Sequence, residues 1–213
     1  VSSGIIRKGD QVTILPSRLT SHILSIETFD GEVEEARAGD SVTLRITDEI
    51  DVSRGDMIVR SNNVPHFSRF FDAYLCWMGA EPMESGKPYV LMQTTRFLQG
   101  IVRNISYQID VDTMHRTDAK VLNLNEIGRV SIEVSQPLYL DTYRRNAATG
   151  SFILIDPDTN VTVGAGMVRK AVQSELNGLI AGAGAARFYF SDLALTVEKS
   201  PDVVWEPSVI SRE

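Results

Sequence analysis

Apolar and polar residues alternate with period two along most of this chain. Val42, Leu44 and Ile46 fall on one face of an extended segment, with Thr43 and Arg45 on the other. Ile101, Ile105, Tyr107 and Ile109 alternate with polar neighbours, and Val130, Ile132 and Val134 repeat the pattern. β-branched residues are frequent, and turn signals separate the runs at short intervals, as in antiparallel sandwiches and barrels. Three Gly-Asp pairs punctuate the first sixty residues: Lys8-Gly9-Asp10, Ala38-Gly39-Asp40 and Arg54-Gly55-Asp56. Glycine takes positive φ without steric penalty, and an aspartate carboxylate accepts from turn amides, so each pair reads as a turn leading into a strand. With two sibling turns beside it, Arg54-Gly55-Asp56 is read as a turn and not as an adhesion motif.

The polar stretch Ser61-Asn62-Asn63-Val64-Pro65 separates two modules, residues 1–62 and 66–168. The last turn of the second module is Asp156-Pro157-Asp158-Thr159-Asn160, between the apolar runs 152–155 and 161–163. Residues 169–213 differ in character. Val172, Leu176, Leu179 and Ile180 fall at helical spacing, and the run stops near Gly182 and Gly184. A strand with Leu193, Leu195 and Val197 alternating follows, and the polar, proline-bearing segment 200–213 reads as a linker. The expected fold class is all-β: two consecutive antiparallel β-barrels with a short α/β tail. Val1 stands where an initiator methionine would, and the segment from Gln11 to Leu15 already reads as a strand. The start is therefore expected to be a cut within a longer polypeptide, leaving the first barrel partial.

Composition narrows the function. Hydrophobic residues make up 43% and charged residues 23% of 213, ordinary for a globular chain. The net charge is −7 with no long basic run, which argues against an autonomous binder of nucleic acid or anionic membrane. One cysteine, Cys76, excludes an internal disulfide, and no run approaches 18 consecutive apolar residues. The expected compartment is the cytoplasm.

A search for chemistry names no catalytic, cofactor-binding or metal-ligating residue. A phosphate-binding loop needs G-x-x-x-x-G-K-[ST]; here Pro88 follows Gly86-Lys87 and Glu81 replaces the first glycine. Gly164-Ala165-Gly166 and Gly182-Ala183-Gly184 open like dinucleotide fingerprints but end in Arg169 and Arg187, and the first reads as a tight turn between strands. His22, His66 and His115 are more than forty residues apart, without ligand spacing, and are expected on the surface or in turns. Cys76, between Leu75 and Trp77, reads as a half-buried strand residue. The acidic clusters Glu32-Val33-Glu34-Glu35 and Asp48-Glu49-Ile50-Asp51 lack calcium-loop spacing and read as solvated turns.

The order of features in the first module (Gly4 to Asp10, Ala38 to Val42, Asp51 to Asp56) resembles the second-domain β-barrel of translation-factor GTPases. A finer resemblance is to the large, GTP-binding subunit of bacterial sulfate adenylyltransferase. It rests on Phe29-Asp30-Gly31-Glu32, on Cys76-Trp77-Met78 with Glu81-Pro82-Met83, on Leu124 to Val130, and on Ala148 to Met167. The segment Ser200 to Trp205, with Val209 to Glu213, is similar to the stretch preceding adenylylsulfate kinase in bifunctional fusions. The resemblance implies two translation-factor-type barrels that couple GTP hydrolysis in a separate G domain to adenylylsulfate synthesis on a partner catalytic subunit. GTP and magnesium then belong to that missing domain, and the implied partners are the catalytic subunit, the G domain and a kinase domain, not nucleic acid or membrane. The alternative is a translation-factor-like barrel pair binding RNA or a protein partner.

Overall fold

The computed structural model describes residues 1–172, 186–191 and 194–199; among them every regular element is a β-strand. The first module contains β1 (Ile5–Arg7), β2 (Gln11–Leu15), β3 (Leu19–Thr28), β4 (Gly31–Val33), β5 (Glu35–Arg37), β6 (Thr43–Ile46) and β7 (Met57–Arg60). β1 pairs with β5, while β3 joins β4, β6 and β2, and β2 joins β7, all antiparallel. The strands curve into a half-barrel around Val12, Ile23, Ile26 and Ala36, and Val42, Leu44 and Ile46 pack against that cluster from their shared face.

The three Gly-Asp turns share one construction. The aspartate carboxylate accepts the amide of the residue three positions earlier, Arg7 to Asp10 at 2.9 Å, Arg37 to Asp40 at 2.7 Å and Ser53 to Asp56 at 2.9 Å. The aspartate amide donates back to the carbonyl of the same residue, at 3.0–3.1 Å. The intervening glycine has φ of 82°, 100° and 103° in turn, a region closed to most side chains. A fourth copy spans Asn123 to Glu126, with Asn125 at φ 67° in the glycine place and Glu126 as the capping carboxylate, 2.7 Å from the amide of Asn123.

The second module contains β8 (His66–Trp77), β9 (Met83–Glu84), β10 (Pro88–Gln93), β11 (Arg96–Ile109), β12 (Arg116–Thr117), β13 (Val121–Leu122), β14 (Ile127–Leu140), β15 (Ser151–Ile155) and β16 (Thr162–Val172). Six of them close a barrel in the order β10-β15-β16-β8-β14-β11, with β11 returning to β10. Each strand of the ring is paired on both sides. The interior takes alternate residues: Phe71, Ala73, Leu75 and Trp77 from β8, and Val130, Ile132 and Val134 from β14. Each large aliphatic side chain so buried contributes a gross ~1.5–3 kcal/mol, which chain ordering largely offsets.

Two sequence expectations are corrected here. In β11 the interior residues are Val102 and Ile105, because bulges between Val102 and Asn104 and between Ile105 and Tyr107 shift the phase and leave Ile101 outside. Gly164-Ala165-Gly166 is not a turn but the middle of β16. Phe152 fills the space a side chain at 166 would need: a Cβ there would stand 2.0 Å from the ring Cζ. Glycine is required by packing, not by backbone conformation.

The segment 61–65 connects the modules, and Arg145 in the β14–β15 loop donates to Asn63 Oδ1. Buried Gln93 pins the same loop by donating to the carbonyls of Tyr139 and Thr149 at 3.0 and 2.9 Å. Val172 ends β16, and the remainder of the expected helical run lies outside the described residues. Beyond it, β17 (Ala186–Ser191) and β18 (Ala194–Lys199) form an antiparallel hairpin, where the alternating strand at Leu195 and Val197 is expected.

Asp156 anchors the last hairpin loop. Its carboxylate accepts Lys87 Nζ at 3.0 Å, and the amides of Thr159 and Asp158, both at 3.0 Å. These donors, Lys87 foremost, pull its pKa down to about 2. A lowered folded-state value means the stabilisation is complete above the ordinary carboxylate range and is lost as pH falls towards about 2. The amides of residues 158–161 should therefore shift in an NMR titration only below about pH 4, and Asp156→Asn should abolish that transition. Gly166→Ala should destabilise the barrel by about 1–3 kcal/mol in urea unfolding, from overpacking against Phe152; unchanged stability would show that the ring can move aside.

Candidate interaction surface

The residues that sequence reading considered for chemistry are dispersed. His22, His66 and His115 are all exposed and lie on β3, on β8 and in the β11–β12 loop. Among the described residues no group of three or more His, Cys, Asp or Glu is arranged to hold a metal ion. Cys76 is half-buried on the outer face of β8 and unpaired. The Lys87 ammonium is engaged by Asp156 and lies 5.5 Å from the centroid of the Tyr89 ring, so the Gly86-Lys87 pair forms no phosphate cradle. Of the acidic clusters, Glu35 lies in β5 between Arg7 and Arg37, and Asp48 accepts from Ser21 and Thr47. Between the modules, Pro16 and Arg54 to Asp56 face Thr95 to Phe97 across a shallow open groove without a nucleophile or paired carboxylates.

Polar chemistry gathers instead on the outer face of the closed barrel. Since residues 71, 73, 75 and 130, 132, 134 point inward, their neighbours 72, 74 and 129, 131, 133 point outward. Strand register then sets these side chains in rows. One row places Lys170, Asp72, Ser131 and Asn104 side by side across β16, β8, β14 and β11; the next holds Met167, Tyr74, Arg129 and Tyr107. Arg129 Nη2 donates to Asp72 Oδ2 at 2.6 Å, and Ser131 Oγ donates to Asp72 Oδ1 at 3.0 Å. A row further on, Glu133 is only 8% exposed because two arginines cover it. Arg103 Nε donates to one of its oxygens at 2.6 Å, and Arg69 lies 3.5 Å from the other.

The Arg116 guanidinium stacks 4.8 Å from the centroid of the Tyr107 ring. Burial pushes the Tyr107 phenol up, but its hydrogen bond with Tyr74 and the charges of Arg116 and Arg129 outweigh that and hold it below the ordinary tyrosine value. Asp72 in turn raises the Arg129 guanidinium. Asp72 and Glu133 are locked by arginines and the face holds no reactive nucleophile, an arrangement suited to recognition and not to bond making. Sequence reading missed this surface. The signal available was the polar half of the β14 alternation, Arg129, Ser131 and Glu133; the partners across the sheet depend on register.

Two of the segments that carried the finer resemblance build the second barrel. Leu124 to Val130 forms the fourth capped turn and the start of β14, and Ala148 to Met167 forms the β15–β16 hairpin. Residues 1–59 match the family model of elongation factor Tu domain 2, and residues 70–169 that of the GTP-eEF1A C-terminal domain-like family. The crystal structure of Sup35 complexed with GDP superposes with a TM-score of 0.71 at 20% identity, over 81% of this chain and 43% of that one. The chain therefore carries consecutive β-barrels of the translation-factor GTPase type.

Within that class it is a homologue of the sulfate adenylyltransferase large-subunit proteins. It is 49% identical over 168 residues to the bifunctional enzyme CysN/CysC of Rhodopirellula baltica, covering 79% of this chain and 26% of that protein. It is 48% identical over 175 residues to sulfate adenylyltransferase subunit 1 of Bacteroides fragilis, covering 82% of this chain and 37% of that protein. The chain thus spans between about a quarter and two fifths of the length of these relatives. No helix of the described residues is long and apolar enough to cross a membrane.

Asp72→Ala should leave Arg129 and Ser131 without their shared acceptor and lower stability by about 1–2 kcal/mol, the solvent-screened range for a hydrogen-bonded ion pair at a partly exposed site. Urea unfolding measures it, and Asp72→Asn, which keeps an acceptor, should fall between the two.

Proposed function

We propose that this chain is the non-catalytic barrel region of a GTP-dependent sulfate adenylyltransferase large subunit. In this role it couples GTP hydrolysis in a G domain outside these 213 residues to adenylylsulfate synthesis on a partner catalytic subunit. The observation that carries the reading is 48–49% identity, over about four fifths of the chain, to proteins named for that subunit and for its CysN/CysC fusion. In this reading GTP and magnesium belong to the G domain. The reading includes a kinase domain in the parent polypeptide, in keeping with the similarity to bifunctional CysN/CysC enzymes, and a cytoplasmic complex.

The architecture suits coupling. Forming adenylylsulfate from ATP and sulfate is uphill, so a hydrolysis elsewhere must be linked to it mechanically. A barrel whose six strands are each paired on both sides moves as one body and offers few free edges for unwanted association. A neighbouring switch can then displace the whole barrel instead of deforming it.

Mixing the chain with the sulfate adenylyltransferase catalytic subunit should give a co-eluting complex in size-exclusion chromatography. Absence of the complex, together with retention of tRNA by the chain, would overturn this reading in favour of a translation-factor-like RNA binder.

A further inference from the structure

Charge is unevenly distributed between the modules. Residues 1–60 carry seven basic and eleven acidic side chains, whereas residues 61–172 carry eleven of each. The second barrel is neutral overall, but its outer β16-β8-β14-β11 face is not. Arg69, Arg103, Arg116, Arg129 and Lys170 stand there against only Asp72 and Glu133. Both carboxylates are already engaged by arginines, and among the described residues Arg116 and Lys170 pair with no carboxylate. At one end of the face the Asp110 carboxylate is occupied by the amides of its own loop, Asp112 and Thr113.

Apolar side chains lie among these charges. Phe70 is 39% and Met167 41% exposed, and Tyr74 stands between Met167 and Arg129 in one row. Exposed aromatic, methionine and arginine side chains on a rigid sheet are the composition of a protein-recognition surface, in which a desolvated apolar centre carries most of the energy. Nucleic acid fits less well. The first module's acidic excess repels phosphates, and the Tyr107 ring, the natural stacking platform for a base, is covered by Arg116.

We infer that the β16-β8-β14-β11 face is the docking surface for a protein partner that presents carboxylates around an apolar patch. Resting on the function proposed above, that partner is the catalytic subunit. Arg116 and Lys170 supply steering and register, while Phe70 and Met167 supply the apolar contact. Arg103, Arg69 and Arg129 keep their intramolecular acceptors and hold the face rigid, so little side-chain freedom is lost on binding.

The test is binding of the whole chain to the sulfate adenylyltransferase catalytic subunit, measured by titration calorimetry at low and at physiological salt. The double variant Arg116→Glu/Lys170→Glu should bind at least tenfold more weakly, with the larger loss at low salt, and Met167→Asp should weaken binding by a similar factor at both. Arg54→Glu/Lys120→Glu, the same change in charge elsewhere, should bind as the unmodified chain does. Thermal melting of every variant verifies that the barrel is intact. Wild-type-like binding by folded Arg116→Glu/Lys170→Glu and Met167→Asp overturns this face while leaving the proposed function standing. Failure of the unmodified chain to bind the catalytic subunit overturns both. Retention of tRNA by the unmodified chain, lost in the double variant, assigns the face to nucleic acid and overturns the protein partner.

Discussion

At the centre of the second barrel the ring of Phe152 lies against the bare backbone of Gly166. β16 pairs with β15 on one side and β8 on the other, so a shift of this strand strains both ladders. With a Cβ at 166 the ring and strand could not share that space. Phe152 in turn packs edge-on against Phe71 of β8, with centroids 5.5 Å apart, which ties the glycine contact to the centre of the core. The same closure aligns β16, β8, β14 and β11, and so brings the charged rows of the outer face together. Interior packing and surface recognition are thus two results of one steric allowance.

What sequence reveals here follows the range of the interaction. The alternation at Val130, Ile132 and Val134 is read correctly because β14 keeps its phase through that stretch. The Gly-Asp turns are legible because every bond they need lies within four residues. β11 is misread at Ile101 because a bulge is a property of the pair of strands and leaves no mark in one of them. Gly164-Ala165-Gly166 looks like a turn since glycine is the common turn residue, whereas the demand for it comes from an aromatic ring across a hairpin. The outer face is hidden for a similar reason. Arg129 and Asp72 are 57 residues apart, and only register makes them neighbours.

The segments Leu124 to Val130 and Ala148 to Met167 build the barrel and also place Arg129 and Met167 on its outer face. They cap a turn, start β14 and form the β15–β16 hairpin that the closed ring requires. Resemblance in these stretches reports a shared way of building the barrel, and the recognition of a partner falls to residues on other strands as well.

The recurrence of the carboxylate-capped turn has a consequence for how the chain reaches its native state. Four corners, at Asp10, Asp40, Asp56 and Glu126, are specified by contacts that form without waiting for distant segments. The pairings that complete the ring are of the opposite kind: Leu91 meets Leu154, and Trp77 meets Gly164, across most of the module. Bringing such remote segments together carries the loop-closure entropy that slows β-rich folding. Each capped corner joins strands that pair elsewhere, so it fixes the direction of the chain locally and leaves register to the distant partners. Local direction is thus set early and cheaply at the corners, while the time that assembly takes is set by the remote pairings that close the ring.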